Sequence, residues 1–232
     1  MNRTRLPITR EIDLLRDLGF TDAYPPPAAP AAPAARSASV AIGGRLERLR
    51  VVAEEAQGCT ACGLCRARNK VVFGDGDGAA DLMFVGEGPG AQEDRQGLPF
   101  VGPAGQLLTR IIQAIDLRRE DVYITNVVKC RPPNNRDPQP DETAACRSFL
   151  DRQVDLIAPR VIVALGRVAA QQLLGTTNSL GRLRGTWHEA RGVPVRVTYH
   201  PAFLLRDPSY KRATWEDMQV VRDRLLGADG AE

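Results

Sequence analysis

The chain has 232 residues, 43% of them hydrophobic and 25% charged, with a formal net charge of +3. That composition is globular and ample for a sizeable core, and the length suits one large domain with an appendage. No apolar run approaches the ~20 residues of a membrane-crossing helix, and so mild a positive charge permits an anionic partner without requiring one.

Met1-Asn2-Arg3-Thr4-Arg5 leads into polar sequence and not into the apolar stretch of a signal peptide, so the cytoplasm is the expected location. In that reducing compartment cysteines are more often ligands than disulfides. Residues 9–19 read as a short helix with Ile12, Leu14, Leu15 and Leu18 on its apolar side. Residues 22–39 are rich in Pro and Ala, lack periodicity and read as a tether. The expected division is an N-terminal extension over 1–40, with room for a protein partner, and a compact domain over 41–230, acting as a monomer. Within that domain helices are expected over 43–56, 104–115, 140–157, from 167 to 174 and over 214–226. Strands are expected over 82–85, 122–125, 161–165 and 193–198. Strand and helix alternate with crossovers long enough for βαβ units. The expected fold is therefore a three-layer α/β/α sandwich around a central, mostly parallel four-stranded sheet. Ligands of such sheets gather beyond the carboxyl ends of the strands, where Glu87, Asn126, Gly166 and His200 all fall.

Five cysteines are present. Cys59 and Cys62 lie close together, and Cys130 and Cys146 follow far downstream. Four thiolates suit zinc or a four-iron cluster, and spacing alone does not separate the two. Cys65 either replaces Cys62 as a ligand or lines the same pocket. Arg66, Arg68 and Lys70 follow it and can present cations to a phosphate backbone.

The loop Gly86-Glu87-Gly88-Pro89-Gly90 lacks the Lys of a phosphate-binding loop and the glycine spacing of a dinucleotide fingerprint. Its glycines instead let a small planar ligand come close to the backbone. Glu87 and Glu93 bracket the turn, and a carboxylate there can orient a water. Phe100, between two turn-like glycines, can stack on a base. Asn126 carries an amide donor and an acceptor that match the O4 and N3–H edge of uracil, whereas cytosine presents the opposite polarity. His200 can donate to an oxygen that gains charge as a glycosidic bond breaks. His188 sits in a strand or hairpin and reads as structural. Phe203-Leu204-Leu205-Arg206 reads as a loop that fills the gap left by a flipped base while Arg206 holds a phosphate.

Taken together, these residues resemble the family 4 uracil-DNA glycosylases, the iron–sulfur type. The resemblance runs from about Leu46 to Leu226. It is carried by Cys59-x2-Cys62, Val71-Val72-Phe73-Gly74, Gly86-Glu87-Gly88-Pro89-Gly90-x2-Glu93-Asp94 and Gly97-x-Pro99-Phe100-Val101-Gly102. It continues through Asn126-x2-Lys129-Cys130-Arg131-Pro132-Pro133-x-Asn135-Arg136, Pro140-x5-Cys146 and His200-Pro201-x2-Leu204-Leu205-Arg206. The resemblance implies a glycosylase-like catalytic domain with a structural [4Fe–4S] cluster held by Cys59, Cys62, Cys130 and Cys146, with Cys65 outside the ligand set. It implies Glu87, Glu93 and His200 as catalytic residues, Glu87 first for placing the water and Glu93 as its support or alternate. Gly88, Phe100, Asn126, Asn135, Leu204 and Arg206 are implied as substrate contacts. The implied reaction is release of uracil from single- or double-stranded DNA, leaving an abasic site for base excision repair. The region 130–136 has no histidine, so the covalent capture of DNA seen in one branch of the superfamily is not expected. The alternatives are a glycosylase of broader base range, and a non-catalytic DNA-binding scaffold built on a metal.

Overall fold

The structure, a computed structural model, describes residues 39–227. The helix expected over 9–19 lies outside them. So does the Pro/Ala-rich stretch apart from Ser39, which opens the first helix, α1 (Ser39–Gln57).

Six strands form one sheet: β1 (Asp75–Gly76), β2 (Leu82–Gly86), β3 (Tyr123–Asn126), β4 (Val161–Leu165), β5 (Trp187–Ala190) and β6 (Val193–Thr198), in the order β1-β3-β2-β4-β6-β5. The expected mostly parallel four-stranded sheet is thereby corrected to a mixed six-stranded one. The inner four strands pair in parallel, but β1 and β5 add antiparallel edges. Neither edge announces itself by periodicity. β1 has two residues, both exposed, and exists only through their pairing with Tyr123 and Ile124. β5 is made by its hairpin with β6, whose turn residues Arg191 (φ 53°) and Gly192 (φ 73°) both lie in the left-handed region. Such a turn follows the twist of the strands it joins.

The inner strands β2 and β4 are buried at every position, which is why they read as continuous apolar runs. Their side chains alternate between two cores. Met83, Val85, Ile162 and Ala164 pack on one side with Leu49 and Val52 of α1, with Phe149, Leu150 and Val154 of α4 (Pro140–Ile157), and with Leu173 of α5 (Arg167–Leu174). The short helices α2 (Ala91–Gln96) and α6 (Leu180–Leu183) sit in the connections. Leu82, Phe84, Val161, Val163 and Leu165 face the other side. There they meet Leu107, Leu108, Ile111 and Ile112 of α3 (Pro103–Ala114), Leu204 of α7 (Pro201–Arg206), and Trp215, Met218 and Val221 of α8 (Lys211–Leu226).

Two helix starts explain themselves locally. Pro103 and Pro140 occupy first-turn positions, where a missing N–H costs nothing. Glu142 also reaches back to the Gln139 amide (2.8 Å) and pairs with both Arg136 nitrogens, Nη1 and Nη2. The parallel register sets Gly86 beside Asn126 and Leu165 beside Thr198, so the carboxyl ends of four strands open at one edge. Among the described residues no helix is long and apolar enough to cross a membrane.

Candidate active site

At that edge Gly86, Asn126 and the Phe100 ring converge. A Cβ added to Gly86 would lie 2.6 Å from Phe100 Cζ and collide with Asn126 Oδ1, so only glycine lets the three approach. Asn126 is 1% exposed, and its Oδ1 is one of three buried side-chain polar atoms without a hydrogen-bond partner among the described residues. A buried acceptor left unpaired is costly and calls for a ligand. Gly88 sits against Val128, where an added Cβ would meet Cγ2 at 2.8 Å. The backbone after β3 is laced to this loop by Val127 N to Gly86 O (2.9 Å) and Val128 N to Glu87 O (3.1 Å).

Phe100 is buried with φ 50°. Its loop is clamped from two sides. Glu93 Oε1 accepts from the Val101 and Gly102 amides, both at 2.9 Å. Arg119 donates Nη2 to Pro99 O at 2.6 Å and Nη1 to Thr109 Oγ1 at 3.3 Å. One oxygen of Glu93 is thus committed to holding the aromatic ring in place.

The Phe100 and His200 rings lie 5.6 Å apart, tilted by 33°. His200 caps α7: its Nδ1 accepts the Ala202 amide at 3.1 Å. A neutral imidazole that accepts at Nδ1 carries its proton on Nε2. Burial, and then the positive charge of Arg206, push its pKa down to about 4, against an opposing pull from Glu93. The ring is therefore a neutral N–H donor at ordinary pH. Gly166, φ 89°, brings β4's exit against it: the Gly166 amide donates to Thr198 O at 2.9 Å, and an added Cβ would lie 3.0 Å from His200 Cβ.

Glu87 is half-buried, and its carboxylate makes no hydrogen bond among the described residues. Burial and the charge of Asp137 push its pKa up to about 7, while Arg167 opposes them. Asp137 and Arg167 form an exposed ion pair at 2.5 Å beside it.

The segment 203–206 is a helix and not a loop, and this redistributes its residues. Leu204 is fully buried in the core under α3 and α8, whereas Leu205 is 44% exposed and Arg206 is exposed. Leu204, expected to touch substrate, lies in the core: successive residues on a helix face different ways, and Leu205 holds the outward position. Asn135 is exposed, has φ 54°, and accepts from Arg131 Nε at 2.8 Å. His188 is taken up by Leu183 O (2.7 Å) and Thr186 Oγ1 (3.2 Å).

On the opposite side of β3 all five cysteines, Cys59, Cys62, Cys65, Cys130 and Cys146, line one pocket of about 300 Å³ that opens at the surface. Ala56, Ala61, Ala145 and Phe149 complete its apolar wall, and Arg68 and Lys129 its cationic one. Arg68 Nη1 donates to Cys130 Sγ at 3.3 Å and to Cys59 O at 2.7 Å. Burial pushes the Cys62, Cys130 and Cys146 thiols up, offset at Cys130 by Arg68 and at Cys146 by Lys129. Among the described residues no group of three or more His, Cys, Asp or Glu is placed to hold a metal ion. The thiols surround a space and do not converge on a point. Sulfur-only donors around an apolar pocket match the chemistry of a polynuclear iron–sulfur group.

Two residues of this region escaped the sequence reading. Arg119 carries no local signal, because its target lies 20 residues upstream. Lys129, quoted from sequence only as part of a motif and given no role, is 2% exposed.

Comparison with known proteins matches residues 73–219 to the model of the uracil DNA glycosylase superfamily. The type-4 uracil-DNA glycosylase of Thermotoga maritima is 48% identical over 184 residues, covering 77% of this chain and 95% of its own. The type-4 uracil-DNA glycosylase of Saccharolobus solfataricus is 45% identical over 190 residues, covering 78% of this chain and 88% of its own. That of Sulfurisphaera tokodaii is 43% identical over 190 residues, covering 78% and 86%.

Proposed function

Because the chain belongs to the uracil-DNA glycosylase superfamily and groups there with the type-4 enzymes, we propose that it hydrolyses the N-glycosidic bond of deoxyuridine in DNA. It releases free uracil, leaves an abasic site and does not cut the strand. The observation that carries this reading is the partnerless Asn126 Oδ1, buried against the Phe100 ring. That acceptor takes the N3–H of a flipped uracil, and the amide N–H₂ donates to O4. Cytosine offers an acceptor at N3 and a donor at C4, so it mismatches both groups when the amide points Oδ1 at N3.

The base stacks on Phe100, whose ring is held by Glu93 and Arg119 acting as positioning residues. As the glycosidic bond loosens, negative charge builds on uracil and neutral His200 donates from Nε2. Glu87, as carboxylate, orients the water that captures the sugar cation. Arg206 and Leu205 engage the phosphate and the gap in the helix. No amine is needed to form a Schiff base, which is why the strand stays intact.

We further propose that Cys59, Cys62, Cys130 and Cys146 hold a [4Fe–4S] cluster, with Cys65 lining its pocket. The cluster supplies structural cross-links between distant segments. The support is the all-thiol lining of one apolar pocket, next to the cations Arg68 and Lys129.

The test is release of uracil from a single-uracil oligonucleotide with enzyme in excess, followed by alkaline cleavage of the abasic site. Wild type should convert the strand. His200→Ala should lower the single-turnover rate by about 10²–10³-fold while DNA affinity holds. A uracil strand left intact by metal-loaded wild type would end the reading.

A further inference from the structure

We infer that Lys129 is a positioning residue that ties the base-reading Asn126 to the cysteine-lined pocket. This rests on the reading of Asn126 given above. Lys129 is 2% exposed, burial lowers its pKa to about 7, and when charged it spends all three ammonium donors inside the protein. One goes to the main-chain oxygen of Asn126 (2.7 Å), one to Thr125 Oγ1 (2.7 Å) and one to Gln153 Oε1 (2.5 Å). No carboxylate pairs with it among the described residues. A buried ammonium without a carboxylate carries a large desolvation cost. A Met would fill the same space without that cost, so the donors are what the position requires.

Asn126 shows why. Its Oδ1 has no partner among the described residues, so that atom does not anchor the amide. Its aim follows from where the last peptide of β3 is held, and Lys129 holds that peptide's carbonyl.

The other end of the network runs into the cysteine pocket. Lys129 lines that pocket and directly precedes Cys130. Gln153 lies on α4 seven residues after Cys146, two helical turns along the same face. Gln153 Nε2 donates to Phe73 O (2.9 Å) and Tyr123 Oη (3.1 Å), and Thr125 Oγ1 donates to Phe73 O (2.7 Å). Two of the four proposed ligands, Cys130 and Cys146, are therefore linked through short, fully bonded paths to the peptide that aims Asn126.

The experiment uses the metal-loaded protein as wild type, Lys129→Met, Asn126→Ala and the double variant. Single-turnover excision, inhibition by free uracil, affinity for abasic DNA, metal content and thermal midpoint are measured on each. Lys129→Met should slow excision about 10- to 100-fold, as expected for a misplaced recognition group, and weaken inhibition by free uracil. Abasic-DNA affinity and metal content should stay at wild-type values. In the Asn126→Ala background the same change should cost little more. A full rate in Lys129→Met, or an equal loss in both backgrounds, would overturn the inference, since a merely structural lysine costs the same whatever residue 126 is. Should Lys129→Met fail to fold, Gln153→Met keeps the ammonium but removes one acceptor, and the same pattern is expected of it. An intact uracil strand with wild type overturns the glycosylase reading and this inference together. Normal wild type beside a full-rate variant overturns only the inference.

Discussion

Glu87 and His200, each just past a strand end, have their proton affinities moved in opposite senses. His200, lowered to about 4, is neutral throughout the neutral range and offers only an N–H. Glu87, raised to about 7, changes charge within it. The sign follows from the role. Below about pH 7 the carboxyl is protonated and cannot orient water as a base; above it the carboxylate is present. The single-turnover rate should therefore climb as pH rises through about 7 and then level off. Glu87→Gln should be slower and should lose that step. A step that survives unchanged in Glu87→Gln would assign it to another group. Acidic side chains after a strand were legible as candidates from sequence, but their division of labour was not. Glu93 lies six residues on from Glu87, and only the fold shows one of its oxygens bound to the amides that shape the Phe100 loop.

The helix Pro201–Arg206 decides which of two adjacent leucines is exposed. Leu204 is fully buried among α3 and α8, and Leu205 stands out at 44% exposure. Leu204→Ala should cost about 2–5 kcal/mol of stability, the range for deleting a buried leucine, seen as a shifted denaturant midpoint. Leu205→Ala should leave that midpoint in place and weaken binding to uracil-bearing duplex. The reverse pattern would mean that the helix is turned the other way in solution. A loop gives no rule for facing, whereas a helix makes neighbours diverge by about 100°. The sheet edges were missed for a related reason. A two-residue strand such as Asp75–Gly76 has no period to read. Around Trp187–Ala190 a strand or hairpin is expected from sequence, but its mixed exposure gives no period that counts it into the sheet before Val193–Thr198 pairs with it.

Across the whole molecule the cysteine pocket joins the turn after α1, the exit of β3 and the middle of α4, segments separated by up to 87 residues between Cys59 and Cys146. Cross-links over such a span restrict the unfolded chain strongly. Cys130→Ala or Cys146→Ala should lose the visible absorbance and the metal, and should lower the thermal midpoint together with it. Cys65→Ala should do neither. Purified wild type carrying one zinc and no iron would replace the cluster with a mononuclear site. What sequence alone determined here is local. It marked the apolar runs of β2 and β4, the glycine loop after β2, the polar residues at strand ends and the set of thiols, because residue type and short-range periodicity encode these. What the tertiary structure decided is which of those residues share a contact. The clamp on Phe100, the inward turn of Leu204, the added edge strands and the Lys129 network all join segments that are neighbours only after folding; Gln153 reaches Phe73 across 80 residues. Such bonds form because leaving a buried polar group unpaired is costly, so most of them find a partner. Which partner lies within reach is set by the packing of the sheet against its helices, and not by the residues beside it in the chain.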